Sequence, residues 1–173
     1  MEDCIIIGGG PAGLTAGIYL GRFLRRTLLI DGGASRAALI PCTRNLAGFP
    51  DGISGTDLLD RMGRQLAKYD VERLRSKARS VRKEGDTFVV TSDEGERRAP
   101  ILVLATGVKN QPPPMDQSDH HAAVAAGLLR YCPVCDAYEV RDLDVGVIGS
   151  GQHGLAEARF LRHYTDRVTL IQP

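Results

Sequence analysis

Two cysteines three positions apart, Cys132 and Cys135, with a carboxylate directly behind the second, are the residues best suited to chemistry here. They lie in the stretch Tyr-Cys-Pro-Val-Cys-Asp-Ala-Tyr-Glu, residues 131–139. Such a pair can close to a disulfide if the segment is helical or turned, because the Cα atoms then come within bonding range. A ring closed over so short a spacing favours a reducible bond over a structural one. Asp136 is placed to pass protons as thiolate becomes thiol, and Pro133 removes one backbone donor that could hold a thiolate. Half of a zinc site and plain packing of thiols are the competing uses. Zinc needs two more ligands, yet Cys4 and Cys42 are isolated and His120-His121 has no Cys-x-x-Cys counterpart. A redox dithiol is the favoured use, and no metal site is expected.

The elements that must position this pair belong to a chain of 173 residues, 43% hydrophobic and 25% charged, with formal net charge +1. That is the composition of a soluble globular protein, long enough for one domain or two small or incomplete ones. Near-zero net charge gives no electrostatic reason for a nucleic-acid partner. No apolar run is long enough to span a membrane, and the acidic opening Met-Glu-Asp-Cys is no signal peptide. Four cysteines are too few for a disulfide scaffold. A cytoplasmic, reducing compartment is the expectation, where a close cysteine pair serves catalysis or metal binding.

Residues 4–7 read as a strand that opens into Gly8-Gly9-Gly10-Pro11-Ala12-Gly13. A helix follows to about Phe23, with Leu14, Ile18 and Phe23 on its apolar side, then a strand over 27–30 ending at Asp31. Residues 34–55 read as a long loop. Thr56 serves as N-cap of a helix carrying Leu58, Leu59, Met62 and Leu66. From Val71 to Ala99 the pattern is that of short strands, a small β-meander, and a buried strand over 101–105 closes on Thr106-Gly107. The stiff run Pro112-Pro113-Pro114 marks a domain boundary. Beyond the cysteines come a strand over 145–148, the turn Gly149-Ser-Gly151-Gln-His-Gly154, a helix to about Tyr164 and a strand over 168–171.

A strand–turn–helix–strand unit therefore occurs twice, each with the spacing Gly-x-Gly-x-x-Gly. In the first, Gly8 permits the tight turn, Gly10 lets backbone approach a pyrophosphate and Gly13 lets helix and strand pack closely. The phosphate charge then meets free N–H groups at a helix N-terminus. Asp31 stands where an adenosine ribose is read. Laying the second unit on the first puts Gln172 at that place. A neutral residue there leans towards a phosphorylated nicotinamide nucleotide.

With both fingerprints and the dithiol in this order, the chain resembles the low-molecular-weight thioredoxin reductases and their FAD-dependent relatives among the pyridine nucleotide-disulfide oxidoreductases. The pieces that carry the resemblance are IIIGGGPAGLTAGIYLGR, NLAGFPDGISGTDLL, LATGVKNQPPP, YCPVCDAYE and VGVIGSGQHGLAEA. The resemblance implies an α/β fold. Residues 1–114 form part of a Rossmann-like FAD domain, and 115–173 the first part of a nicotinamide-binding domain carrying the redox site. It implies FAD on Gly8, Gly10, Pro11, Ala12 and Gly13, with Ala105, Thr106, Gly107 and Asn45 close to the flavin. It implies NADP or NAD on Gly149, Gly151 and Gly154. Cys135 is by that pattern the thiol nearest the flavin, Cys132 the one that attacks substrate, and Asp136 the proton donor and acceptor.

Electrons then run from NAD(P)H through FAD and the dithiol to thioredoxin or another disulfide, in a protein that is often a homodimer. The resemblance further implies that the inserted domain rotates, for which Pro112–Pro114 is the expected hinge. Where the family commonly has Cys-Ala-Thr-Cys-Asp-Gly, this chain has Pro133, Val134 and Ala137, which brings a small-molecule disulfide into consideration beside thioredoxin. The resemblance covers roughly the first half of such an enzyme, so weak FAD binding and poor turnover are expected of this chain alone. A non-catalytic, redox-sensing nucleotide module is the alternative.

Overall fold

The computed structural model describes residues 1–172. In chain order the first elements are β1 (Cys4–Ile7), α1 (Pro11–Arg22), β2 (Thr27–Ile30), α2 (Gly55–Leu66) and β3 (Val71–Leu74). They are followed by β4 (Ala78–Glu84), β5 (Thr87–Ser92), β6 (Gly95–Ala99) and β7 (Ile101–Leu104). Then come α3 (Gln117–Ala125), the single turn α4 (Pro133–Asp136), β8 (Val145–Ile148), α5 (Gly151–Leu161) and β9 (Val168–Ile171). The chain divides into two compact units. One comprises Met1–Ile40 and Ser54–Lys109, the other Pro41–Ile53 and the chain from Asn110 onward.

In the first unit a parallel sheet runs in the order β3-β2-β1-β7. Every residue of β1 and β2 is buried, which is why runs as short as Cys-Ile-Ile-Ile and Thr-Leu-Leu-Ile can serve as central strands. Alternation sends Cys4 and Ile6 to one face, against Leu14, Ile18 and Leu66 of α1 and α2. Ile5 and Ile7 face the other way, against Val90 and Ala99 of the antiparallel sheet β4-β5-β6. Each such Ile or Leu contributes about 1.5–3 kcal/mol of burial. The outcome is the Rossmann-like α/β architecture, with helices on one face and a β-meander on the other.

Several details depart from the sequence reading, among them β7, which is not a buried strand: Ile101 and Leu104 at its ends are exposed. Val71–Leu74 does not join the meander; it pairs parallel to β2, Thr27 opposite Val71. The N-cap of α2 is Ser54, not Thr56, because Ser54 Oγ accepts the Asp57 N–H at 3.1 Å. The long loop contains a 3-10 turn at Arg36–Leu39 and an antiparallel bridge between Thr43 and Ile53. Phe23 is largely exposed rather than on the apolar side; it lies one turn after the exposed Tyr19, whose ring it meets at 6.2 Å.

Helix α1 ends in a Schellman arrangement in which Arg25 N–H donates to Leu20 O and Leu24 N–H to Gly21 O. Leu24 takes φ +56° there, a conformation that suits glycine. Leu24→Gly is therefore expected to stabilise the first unit by about 1 kcal/mol, read as a higher urea midpoint.

The second unit pairs β8 with β9 in parallel, Val145 opposite Val168. Its core gathers Ala137, Val147, Ala158 and Leu161. Among the described residues no helix is long and apolar enough to cross a membrane.

Candidate functional site

At the end of β1 the chain turns sharply at Gly8, which has φ +118°. A Cβ on Gly8 would lie 2.1 Å from Ala105 O, and one on Gly13 would lie 1.8 Å from Gly8 O. The glycine turn, the start of α1 and the end of β7 thus lie close together, with Ala105 and the Thr106 N–H against Gly8. Gly10 caps α1 with no side-chain hydrogen bond, Pro11 occupies the first turn, and no acid stands in that turn. The first-turn N–H groups thus offer positive potential to an outside anion.

Asp31 follows β2 and is buried, its side chain only 7% exposed. Arg73 of β3 donates to its Oδ2 from Nε at 3.1 Å and from Nη2 at 2.6 Å, and Gly33 N–H donates to Oδ1 at 2.9 Å. Gly9 makes room for this carboxylate, since a Cβ there would fall 2.1 Å from Asp31 Cγ. Burial pushes the carboxyl up, but the Arg73 bonds, the Gly33 N–H and the nearby guanidinium charges together hold it below the usual carboxylate range. A carboxylate has about four acceptor sites. With three in use, Asp31 fits a ribose through the remaining one, in company with Arg73. Ser76 Oγ, beside the Asp31-Gly32 turn, is buried without a hydrogen-bond partner among the described residues.

The lowered Asp31 carboxyl has a consequence for stability. A group whose folded value lies below its unfolded one stabilises fully above the unfolded value, about 3.9, and loses that contribution as pH falls through the folded value. Asp31→Asn is expected to flatten the acid limb of the urea midpoint below about pH 4. A parent-like acid limb in the variant contradicts that.

The second glycine turn shares the close approach of its first and third glycines but not the backbone path, its left-handed residue being Gly151, the first residue of α5, rather than Gly149. A Cβ on Gly154 would fall 2.7 Å from Gly149 C, and Gly151 has φ +59°. Ser150 caps α5 without a side-chain bond, again with no acid in the first turn. His153 is exposed and pairs with Glu157 at 3.3 Å along α5.

In the same unit α4 packs against α5. Cys132 and Cys135 are joined as a disulfide, with Cα atoms 5.2 Å apart. Cys135 N–H donates to Cys132 Sγ at 3.2 Å, so a sulfur-directed donor survives the Pro133 substitution. Asp136 is not alone: Arg130 Nη1 lies 3.1 Å from its Oδ1. Of the three positions that differ from the family's usual motif, Val134 is 74% exposed, whereas Ala137 is buried in the core of its unit. Ala137 therefore serves packing within this unit, while Val134 is open to solvent. Cys4 is buried, which pushes its thiol up and makes it a poor nucleophile. Asn45 lies in the 41–53 loop, its Oδ1 accepting from Thr43 Oγ1 at 2.6 Å.

Two glycine turns on parallel βαβ units and a Cys-x-x-Cys disulfide are the combination that comparison with known proteins recognises. The family model for pyridine nucleotide-disulphide oxidoreductases matches residues 2–173. The chain belongs to this family. Within it, the chain is 33% identical over 175 residues to a thioredoxin reductase of Mycolicibacterium smegmatis, covering 99% of this chain and 55% of that one. It is 34% identical over 176 residues to a bifunctional thioredoxin reductase/thioredoxin of Mycobacterium leprae, covering 99% and 37%. The thioredoxin reductase structure from Streptococcus pyogenes superposes with a TM-score of 0.88 at 30% identity, covering 98% of this chain and 55% of that one. The chain thus spans about half the length of most of these oxidoreductases.

Sequence reasoning missed Arg73 and Arg130. Arg73 is 42 residues from Asp31, and only the parallel pairing of β3 with β2 brings them together. Arg130, six residues from Asp136, was within reach of local spacing.

Proposed function

We propose that this chain carries the FAD-binding segment (1–114) and the dithiol-bearing start of the nicotinamide-binding domain (115–173) of a flavin-dependent disulfide reductase. The observation that carries the reading is the Cys132–Cys135 disulfide, in one unit with the second glycine fingerprint. The residues fit FAD: an open helix N-terminus at Gly10, a slot over Gly9 holding Asp31, and the Ala105-Thr106-Gly107 turn against Gly8. When bound, FAD supplies the two-electron relay between a nicotinamide hydride and a disulfide. Gly10, Pro11, Ala12 and Gly13 would hold its pyrophosphate and Asp31 its ribose, with residues 105–107 towards the flavin ring. Gly149, Gly151 and Gly154 hold the nicotinamide nucleotide, NADPH in preference to NADH because Gln172 brings no negative charge to the ribose.

In the reduced pair, the Cys135 N–H faces Cys132 Sγ and favours its thiolate. Cys132 attacks one sulfur of the substrate disulfide and the other leaves as thiolate. Cys135 then gives up its proton, attacks Cys132 Sγ, and releases the second substrate thiol. Two electrons leave the dithiol, and Asp136 carries the proton. Exposed Val134 between the cysteines gives the substrate an apolar contact, which suits thioredoxin or a small disulfide.

The test uses purified protein titrated with FAD, then NADPH or NADH, with thioredoxin and a small aromatic disulfide as acceptors. A weak flavin absorbance shift on binding and slow NADPH-dependent reduction of either acceptor are expected; turnover at the rate of a full-length reductase contradicts the weak binding expected of this half-length chain. A colourless protein with reversible Cys132–Cys135 oxidation and no turnover in the presence of FAD points instead to a redox-sensing module.

A further inference from the structure

The carboxylate behind Cys135 is held from one side by a cation that is itself held from the other. Arg130 Nη1 donates to Asp136 Oδ1 at 3.1 Å, and Arg130 Nε donates to Gly127 O at 2.8 Å. Gly127 follows α3 at φ +69°, a conformation glycine adopts freely, and it presents that carbonyl to the guanidinium. Both partners are half-buried, roughly one-third and one-quarter exposed, so the pair is screened less than one standing free in water. A thiolate forming beside a bare carboxylate is opposed by its charge; beside a neutralised one it is not.

We propose that Arg130 is a positioning residue for the dithiol, orienting Asp136 and offsetting its charge so that the carboxylate does not oppose the Cys132 thiolate. The inference rests on reading the pair as redox-active. In the step concerned, the Cys135 S–H bond breaks and its proton passes to Asp136. The Cys135 sulfur bonds to Cys132 Sγ as the mixed disulfide breaks, and Asp136 returns the proton to a departing substrate thiolate. Two electrons pass from the dithiol to the substrate disulfide, and charge is conserved. Other titratable or charged groups stand on the neighbouring elements. Tyr131 bonds to His120 of α3 at 2.5 Å, Glu139 and Tyr138 follow α4, and Arg141 stacks 3.8 Å over the Tyr138 ring. On α5, which packs against α4, are His153, Glu157 and Arg159. All are retained in the variants below, so a change among them reports on Arg130 and Asp136.

The test needs no flavin. The full chain is reduced, freed of reductant under nitrogen, and mixed with the aromatic disulfide DTNB from pH 5 to 9 in a stopped-flow instrument. R130M is expected to slow thiolate release about tenfold at pH 7 and to move the midpoint of the rate profile upward by about one pH unit. R130K keeps most of the parent rate. D136N/R130M is no slower than D136N alone, because the effect passes through the carboxylate. Parent-like rates and midpoint in R130M, or additive losses in the double variant, overturn the proposal. If R130M fails to fold, R130Q, and D136N/R130Q compared with D136N alone, decide by the same rate and midpoint readouts. A parent dithiol that does not react with DTNB overturns the underlying redox reading as well, so the two failures are distinguishable.

Discussion

Cys132→Ser is expected to abolish disulfide exchange, a loss of about a thousandfold or more, while leaving the fold unchanged. The attacking sulfur cannot be replaced by a hydroxyl, whose proton is held far more tightly than a thiol's at neutral pH. Cys135→Ser should behave differently. Cys132 still attacks, but nothing resolves the product, so the protein accumulates as a mixed disulfide with its substrate, visible as a mass increase that reductant removes. If Cys135→Ser turned over and Cys132→Ser trapped substrate, the roles of the two thiols would be reversed. Because Ala137 anchors this segment in the core of the second unit, neither change should alter its unfolding midpoint beyond the loss of the disulfide itself.

The second large effect is structural and falls on the first glycine turn. Gly13→Ala is expected to cost about 3 kcal/mol or more, since the new Cβ would lie 1.8 Å from Gly8 O, a backbone atom that cannot step aside. The strain pushes the start of α1 away from β1, so FAD affinity falls with stability. Gly107→Ala is the control. No atom lies within 4 Å of a Cβ there and φ is +65°, so only the backbone cost of about 1–2 kcal/mol applies. Denaturant unfolding of both variants checks the pair. Equal losses would mean that close packing at the Gly8–Gly13 contact is not what the glycine provides.

Much of this was readable from residue order because the decisive features are local. Gly8, Gly10 and Gly13 sit within six positions of one another between a strand and a helix, and their repetition at Gly149, Gly151 and Gly154 needs only an offset. Cys132 and Cys135 lie within one turn. What local pattern could not show was pairing at a distance. Val-Glu-Arg-Leu at 71–74 alternates like any half-buried strand, and only its register against Thr27–Ile30 puts Arg73 on Asp31. Helix α3 escaped notice because Gln-Ser-Asp-His-His-Ala-Ala-Val-Ala has no apolar stripe. Ala137 follows the cysteines directly, and only tertiary packing, which no local pattern shows, turns it inward.

The β4–β6 face shows the limit of composition in another way. Arg82 bridges Glu84 and Glu96, and Arg98 reaches the same two acids. These exposed charges form a cross-strand lattice, whose pairs contribute little each.

The central claim is that Cys132 and Cys135 form a reversible redox pair, and one measurement tests it most directly. The protein is equilibrated in glutathione or dithiothreitol redox buffers, trapped by alkylation and read by peptide mass spectrometry. The account predicts a two-electron transition confined to Cys132 and Cys135, with a midpoint of about −200 to −300 mV, and Cys4 and Cys42 unchanged throughout. A pair that stays oxidised in strong dithiothreitol, or never forms the bond in oxidised glutathione, would contradict it.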